Sequence, residues 1–481
     1  MAPSSRVTAA QGFTTDPTPN DPYRYQTGFG NRFATEAVPN VLPTGRNVPQ
    51  KVKYDLYSEQ LNGSCVVASR QNIRHVWMYR IRPSVAHGDV EPSKHINPEI
   101  ETTFSSANSN VEYVASQQAW DPFPLLEPHD TSTGGIDFVR SIRTVGGQGD
   151  PTLREGLAIH IYSANTSMDR TAFCNNDGEF LVLPQEGRLN IQTELGWLMV
   201  RPGELVVIPA GVRFRVELPD GPSRGYIQEI FGTHYELPEL GPVGSNGLAL
   251  PRDFESPIAS FDIDEAPWTI TYKLAGTLHT CHQNHTPFDV VAWHGNLVPY
   301  KYAIETFVNL ANANKDQADP TIYCVLTAGS KTPGVSLSDF LVFTAKWITA
   351  EDTFRPPYYH RNMSTEIMGL VYGRYGGSSH TLEPGGLSYE ASYMPHGETY
   401  DTWKDASTRD LENVRICEDT MAFMFHISVP VLLTSWAMRG EGAKSRHPSS
   451  SSQWDNVKAH FLDHLDEVEA DLKAAGLPSL R

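Results

Sequence analysis

The feature that most constrains this 481-residue chain is its punctuation. Its 37 glycines and 35 prolines are spread throughout, and short runs rich in Val, Ile, Tyr and Phe stand between them. Residues 156–162 (GLAIHIY), 178–183 (GEFLVL), 189–194 (LNIQTE), 205–208, 214–218 and 226–231 are such runs. Apolar runs of strand length, with turn residues every ~8–12 positions, build antiparallel sandwiches or barrels. The glycines do not fall into the strand-to-helix fingerprint that cradles a dinucleotide or a nucleotide phosphate. The expectation is therefore a mostly β protein with few helices. With 40% hydrophobic residues there is enough apolar surface for a packed core.

Charge narrows the partners. Lys and Arg number 38 against 56 Asp and Glu, a net charge of −18. Such a chain repels phosphate backbones and anionic lipid, so neither nucleic acid nor a membrane surface is expected as a partner. The nearest approach to a membrane span, 427–438, is short and broken by Pro430. The N-terminal 25 residues lack the apolar core of a secretion leader. The five cysteines (Cys65, Cys174, Cys281, Cys324, Cys417) form no C-x-x-C pair, which speaks against a disulfide framework and predicts a reducing, cytoplasmic location.

One stretch carries a fold-specific pattern. Gly203, Pro209 and Gly211 stand in G-x5-P-x-G spacing, which in a cupin jelly roll precedes a metal histidine; here that position is Phe214. The preceding hairpin, 174–187, has no His-x-His pair either. The reading is of two cupin-like jelly-roll domains, the first without a metal site. The proposed division is 1–280, a metal-free β domain; 281–440, a catalytic domain; and 441–481, a Gly/Ser-rich, flexible linker followed by an amphipathic helical tail. In the tail Val457, Phe461, Leu465, Val468 and Leu472 recur at helical spacing, with Gly476 as the stop. The polar stretch 276–286 is taken as the boundary between the first two domains.

The strongest chemical signal is His360 and Glu366, an even number of residues apart, which on a strand would share one face with Asn362 and Ser364. Glu366 and Gly373 then give E-x6-G, the end of a cupin metal motif, and Pro395-His396-Gly397 offers a third donor in a turn. Two imidazoles and one carboxylate leave coordination positions open, the arrangement of non-haem Fe(II) oxygenases. A surface pair is the competing reading of His360 and Glu366, and ligand type alone leaves Zn, Mn and Ni open. His279, His282 and His285 have H-x2-H-x2-H spacing but no matching carboxylate, which favours a solvated linker over a metal cluster. His294, after an apolar run, reads either as a strand-end histidine or as a general base whose pKa suits a phenolic proton.

Seven segments taken together resemble the homogentisate 1,2-dioxygenase family: 25–31 (YQTGFGN), 59–63 (EQLNG), 79–84 (YRIRPS), 290–296 (VVAWHGN), 299–302 (PYKY), 354–362 (FRPPYYHRN) and 420–425 (TMAFMF). The resemblance implies a non-haem Fe(II), extradiol-type dioxygenase. It would convert homogentisate and O2 to maleylacetoacetate in tyrosine and phenylalanine catabolism, and would assemble as a hexamer, a dimer of trimers. Carried over by position, it implies His360, Glu366 and His396 as iron ligands, with His396 also lining the substrate site. It implies His294 as the catalytic base and Tyr375 as a substrate-binding residue. Arg361 and Arg374 would either soften the field at the site or point outward. The chain departs from the family pattern at Leu297 and Val298, at 363–365, at Glu390 where a histidine is usual, and at His426 where a glutamate is usual. Glu390 places an acid beside an anionic substrate, so a paralogue cleaving a related hydroxylated phenylacetate or gentisate-like acid is the alternative. A non-enzymatic two-barrel protein and an oxygen-independent isomerase or decarboxylase are the other classes considered.

Overall fold

A computed structural model describes residues 21–43, 50–63, 69–129, 134–239, 248–309, 323–348, 357–375, 382–447 and 454–480. Among these, strands dominate. They form sheets of ten, seven, eight, four and two strands, and the helices are short. The mostly β expectation, with few helices and a C-terminal helix, is met.

The six apolar runs read from the sequence all become strands. The G-x5-P-x-G stretch becomes strand Glu204–Ile208, a turn at Pro209–Gly211, and strand Arg213–Glu217. Phe214 is buried, 1% exposed, against Phe173 and Phe138. An aromatic ring thus fills the place where a histidine would point inward.

The eight-stranded sheet carries the candidate site. Its central strand, Thr365–Tyr372, lies between Met421–Ile427 and Leu387–Glu390, antiparallel to both. Side chains alternate across it. Ile367 and Val371 join a core shared with the ten-stranded sheet, while Met368 and Leu370 join a separate cluster with Cys324, Leu341 and Met424. The two sheets are bonded as well as packed. Tyr226 Oη donates to the carbonyls of Leu370 and Gly386 (3.2 and 2.9 Å), and its ring meets Phe423 edge-on at 4.8 Å. Phe423 can occupy that place because residue 369 is glycine; a Cβ there would lie 2.3 Å from the ring. Gly373, the glycine of E-x6-G, has φ +88° and ends the strand, and a Cβ would meet the Asp419 carbonyl at 2.2 Å.

Three local expectations are corrected. The polar stretch 276–286 is not a linker, because most of it is strand Thr277–Gln283, paired along its length with Trp268–Leu274 and also with Glu91–Pro92. Its polar residues are tolerated because the strand buries Leu278 on one face and Cys281 on the other, in separate apolar clusters. The segment after Arg439 is not flexible from its start: a 3-10 turn, Glu441–Ser445, leads into Arg446–His447, which pairs with Ala119 and Trp120. Residues 448–453 of that linker lie outside the described residues. The tail helix is Leu465–Ala474, shorter than the apolar repeat suggested, with His460–His464 as a 3-10 turn before it and Gly476 in the left-handed region after it. The start of the tail is held by His460, whose Nε2 is 2.7 Å from Tyr400 Oη and whose ring stacks on Trp403.

Candidate metal centre

His360, Glu366 and His396 converge. One donor atom from each lies within 4.8 Å of the other two. Glu366 Oε2 is 3.4 Å from His396 Nε2 and Oε1 is 3.7 Å from His360 Nε2, with the two imidazole centroids 4.2 Å apart. The geometry is reached differently from the sequence expectation. His360 is not on the strand of Glu366, which begins at Thr365; residues 361–364 form a turn. What fixes His360 is a two-residue antiparallel bridge to His396, each N–H donating to the other's carbonyl at 3.0 Å. The turn is closed by Asn362, whose carbonyl accepts from Tyr393 N (2.7 Å) and whose Oδ1 accepts from Ser364 N (3.0 Å). Its Nδ2 donates to Glu366 Oε1 at 2.8 Å, which sets the carboxylate's orientation.

The donors have the chemistry of a metal site. His396 Nδ1 is 2.9 Å from the Met394 carbonyl, so Nδ1 carries a proton and Nε2, the ring atom that faces Glu366, is the one that would ligate a metal. That Nε2 is buried, and its polar neighbour is the Glu366 carboxylate at 3.4 Å. Burial would lower the His396 pKa and raise that of Glu366. Glu366 raises His396 to about 9, and contacts from His360, His396 and Asn362 together hold Glu366 far below the carboxylate range. A buried carboxylate facing two imidazoles fits a divalent cation.

Tyr375 follows the strand of Glu366 and forms a backbone bridge with Leu382. Its ring packs at 5.4 Å on Phe343, and its hydroxyl, held protonated by burial, feels the charges of Glu398 and Glu366. His294 lies on a different, four-stranded sheet, on strand Val290–Gly295 between the strands of Ala34 and Trp77. Its Nε2 is 3.1 Å from Tyr79 Oη, and burial lowers its pKa. No hydrogen bond, ion pair or ring contact joins His294 to the three donors among the described residues. Arg361 and Arg374 are both exposed. His279 and His282 lie on the strand Thr277–Gln283, three apart and hence on opposite faces, and His285 follows it. One feature escaped the sequence reading, and a second, His426, was noted there only as a departure from the family pattern. Glu398 is a carboxyl whose pKa burial raises to about 8, and one of its oxygens has no partner. His426 Nε2 lies 3.9 Å from Glu366 Oε1. Only a three-dimensional pairing could reveal either.

Fold and site together define a class: a mostly β protein with a two-histidine, one-carboxylate centre on one sheet face. The family described as "Homogentisate 1,2-dioxygenase N-terminal" matches residues 24–304, and its C-terminal counterpart matches 305–461. Homogentisate 1,2-dioxygenase of Caenorhabditis elegans is 45% identical over 443 residues, covering 92% of this chain and 98% of that one. The protein of the same name from Oryza sativa subsp. japonica is 45% identical over 441 residues (91% and 92%), and that from Emericella nidulans 43% over 449 (92% and 97%). The chain belongs to the homogentisate 1,2-dioxygenase family and is a ring-cleaving dioxygenase.

Proposed function

We propose that this chain uses Fe(II), held by His360, Glu366 and His396, to open the ring of homogentisate with O2, giving maleylacetoacetate. The observation that carries the reading is the convergence of the Nε2 atoms of His360 and His396 on the two oxygens of one buried carboxylate, Glu366. Bound Fe(II) would supply open coordination positions and a redox-active centre beside these donors. The remaining work falls to side chains. Asn362 holds Glu366 in orientation, and the Met394 carbonyl holds His396 in the right tautomer. His294, its pKa lowered by burial, is neutral near pH 7 and is proposed to take the proton of the substrate's phenolic hydroxyl. Tyr375 keeps its proton and is proposed to donate it in a hydrogen bond that orients the ring.

The same reading places the chain in the cytosol, in tyrosine and phenylalanine breakdown, as a homo-oligomer, with the hexameric dimer of trimers as the expected form. It also keeps a metal-free N-terminal half, a catalytic C-terminal half and a tail, with the boundary moved off the strand Thr277–Gln283. The names of the relatives support the reaction, while the location rests on the cysteine pattern and the assembly on the resemblance of the seven segments. The test is oxygen uptake by the Fe(II)-loaded protein with homogentisate, gentisate and other hydroxylated phenylacetates. Uptake with homogentisate well above the others is expected. Uptake only with gentisate or another acid would transfer the reading to the divergent-substrate alternative, and none with any would end it.

A further inference from the structure

The strand of Glu366 has a neighbour on each side, and in both pairings the residue directly opposite Glu366 is titratable: Glu390 on one strand, His426 on the other. Directly opposed residues of an antiparallel pair project to the same face. Glu390, Glu366 and His426 therefore form a row across three strands, on the face where His360 and His396 stand. The two flanks are not equivalent. Glu390 is 6% exposed, whereas the His426 side chain is 25% exposed. His426 is the one residue of its strand, Met421–Ile427, that is not fully buried.

His426 is close to the centre without belonging to it. Its Nε2 is 3.9 Å from Glu366 Oε1, the oxygen that also faces His360 and accepts from Asn362. It is nevertheless outside the set of donors that share one point. No hydrogen bond among the described residues holds its ring. A carboxylate-bearing substrate approaching this face meets an acid on one side of Glu366 and an imidazole N–H on the other. Like charge opposes the first approach and a charge-assisted hydrogen bond favours the second.

We propose that His426 is a specificity-determining residue: it receives the anionic arm of the substrate, and with Glu390 on the opposite flank it fixes on which side of Glu366 that arm lies. The inference rests on the function proposed above. It is tested by oxygen-uptake kinetics with homogentisate and with hydroquinone, which lacks the acetate arm, on the Fe(II)-loaded full chain. The variants are His426→Ala, His426→Gln, His426→Glu and the exchange Glu390→His/His426→Glu, each with its iron content measured.

In His426→Ala and His426→Glu the KM for homogentisate should rise roughly 10- to 100-fold relative to that for hydroquinone, the worth of one hydrogen bond to a charged group, at full iron content. His426→Gln, which keeps an N–H donor, should recover part of the loss, and the exchanged pair should recover much of what His426→Glu loses. An unchanged KM ratio, or losses that simply track lost iron, would overturn the assignment while leaving the proposed reaction standing. A wild-type chain that takes up no oxygen with homogentisate would overturn both.

Discussion

Both halves of the chain bury charge inside β structure, and they differ in how that charge is balanced. In the N-terminal half, Lys273 Nζ is 2.9 Å from Asp177 and 2.7 Å from Glu229, all three almost fully buried, and His160 Nε2 is 3.3 Å from Glu229. Burial would raise the Glu229 pKa, yet Lys273 and His160 bring it down to about 2. Asn175 donates to Glu229, and the backbone N–H groups of Ala275 and Gly276 donate to Asp177. Every charge there has a protein partner. In the C-terminal half the single carboxylate of Glu366 is shared by imidazoles, and the buried Nε2 of His396 faces it at 3.4 Å. The first cluster is complete as a protein, whereas the second has the donors of a site that an ion completes. Buried polar groups are retained at a cost, and the difference lies in whether the chain or a ligand meets that cost.

The comparison is broken most severely by Glu366→Ala. That change should abolish iron retention and reduce oxygen uptake to background, while circular dichroism stays that of a β protein; full metal occupancy would show that the carboxylate is not a ligand. His360→Ala and His396→Ala should behave alike. On the other side of the comparison, Lys273→Met strands two buried carboxylates and should cost about 3–5 kcal/mol in denaturant unfolding, with iron content per folded chain unaltered. A stability loss below ~1 kcal/mol would mean that the cluster is looser than its distances imply.

Asn362→Ala leaves all three donors but frees the carboxylate, and should weaken iron binding by about 10–100-fold in a competition titration. Unchanged affinity would remove Asn362 from the site. The smallest effect is in pH. Because His396 is raised from 6.5 to about 9, its pairing with Glu366 stabilises the metal-free protein fully below pH 6.5 and is lost as pH rises through about 9. The Tm gap between metal-free wild type and His396→Gln should close across that window, while iron binding, which needs the neutral imidazole, strengthens. A gap that widens with pH would contradict the pairing.

Particular residues show how far the sequence reaches. The strand runs, the turn at Pro209–Gly211 and the missing histidine at Phe214 were legible because β structure writes its period and its turns locally. The identities of His360, Glu366 and His396 were legible from spacing and resemblance. The strand Thr277–Gln283 was misread because its polar residues dominate a segment that pairing with Trp268–Leu274 makes regular. The Met394 carbonyl behind His396 and the unpaired oxygen of Glu398 left no local signature, and His426 showed only as a departure from the family pattern, without its distance to Glu366.

The sequence by itself determined the β class, the acidic net charge and the three candidate donor residues, since these depend on composition, period and spacing along the chain. Only the tertiary structure decided how the donors meet: through a turn and a bridge between His360 and His396, with Glu390 and His426 set on either side of Glu366. Strand pairing joins residues distant in the chain through backbone hydrogen bonds, and its register is chosen by the packing of the whole sheet.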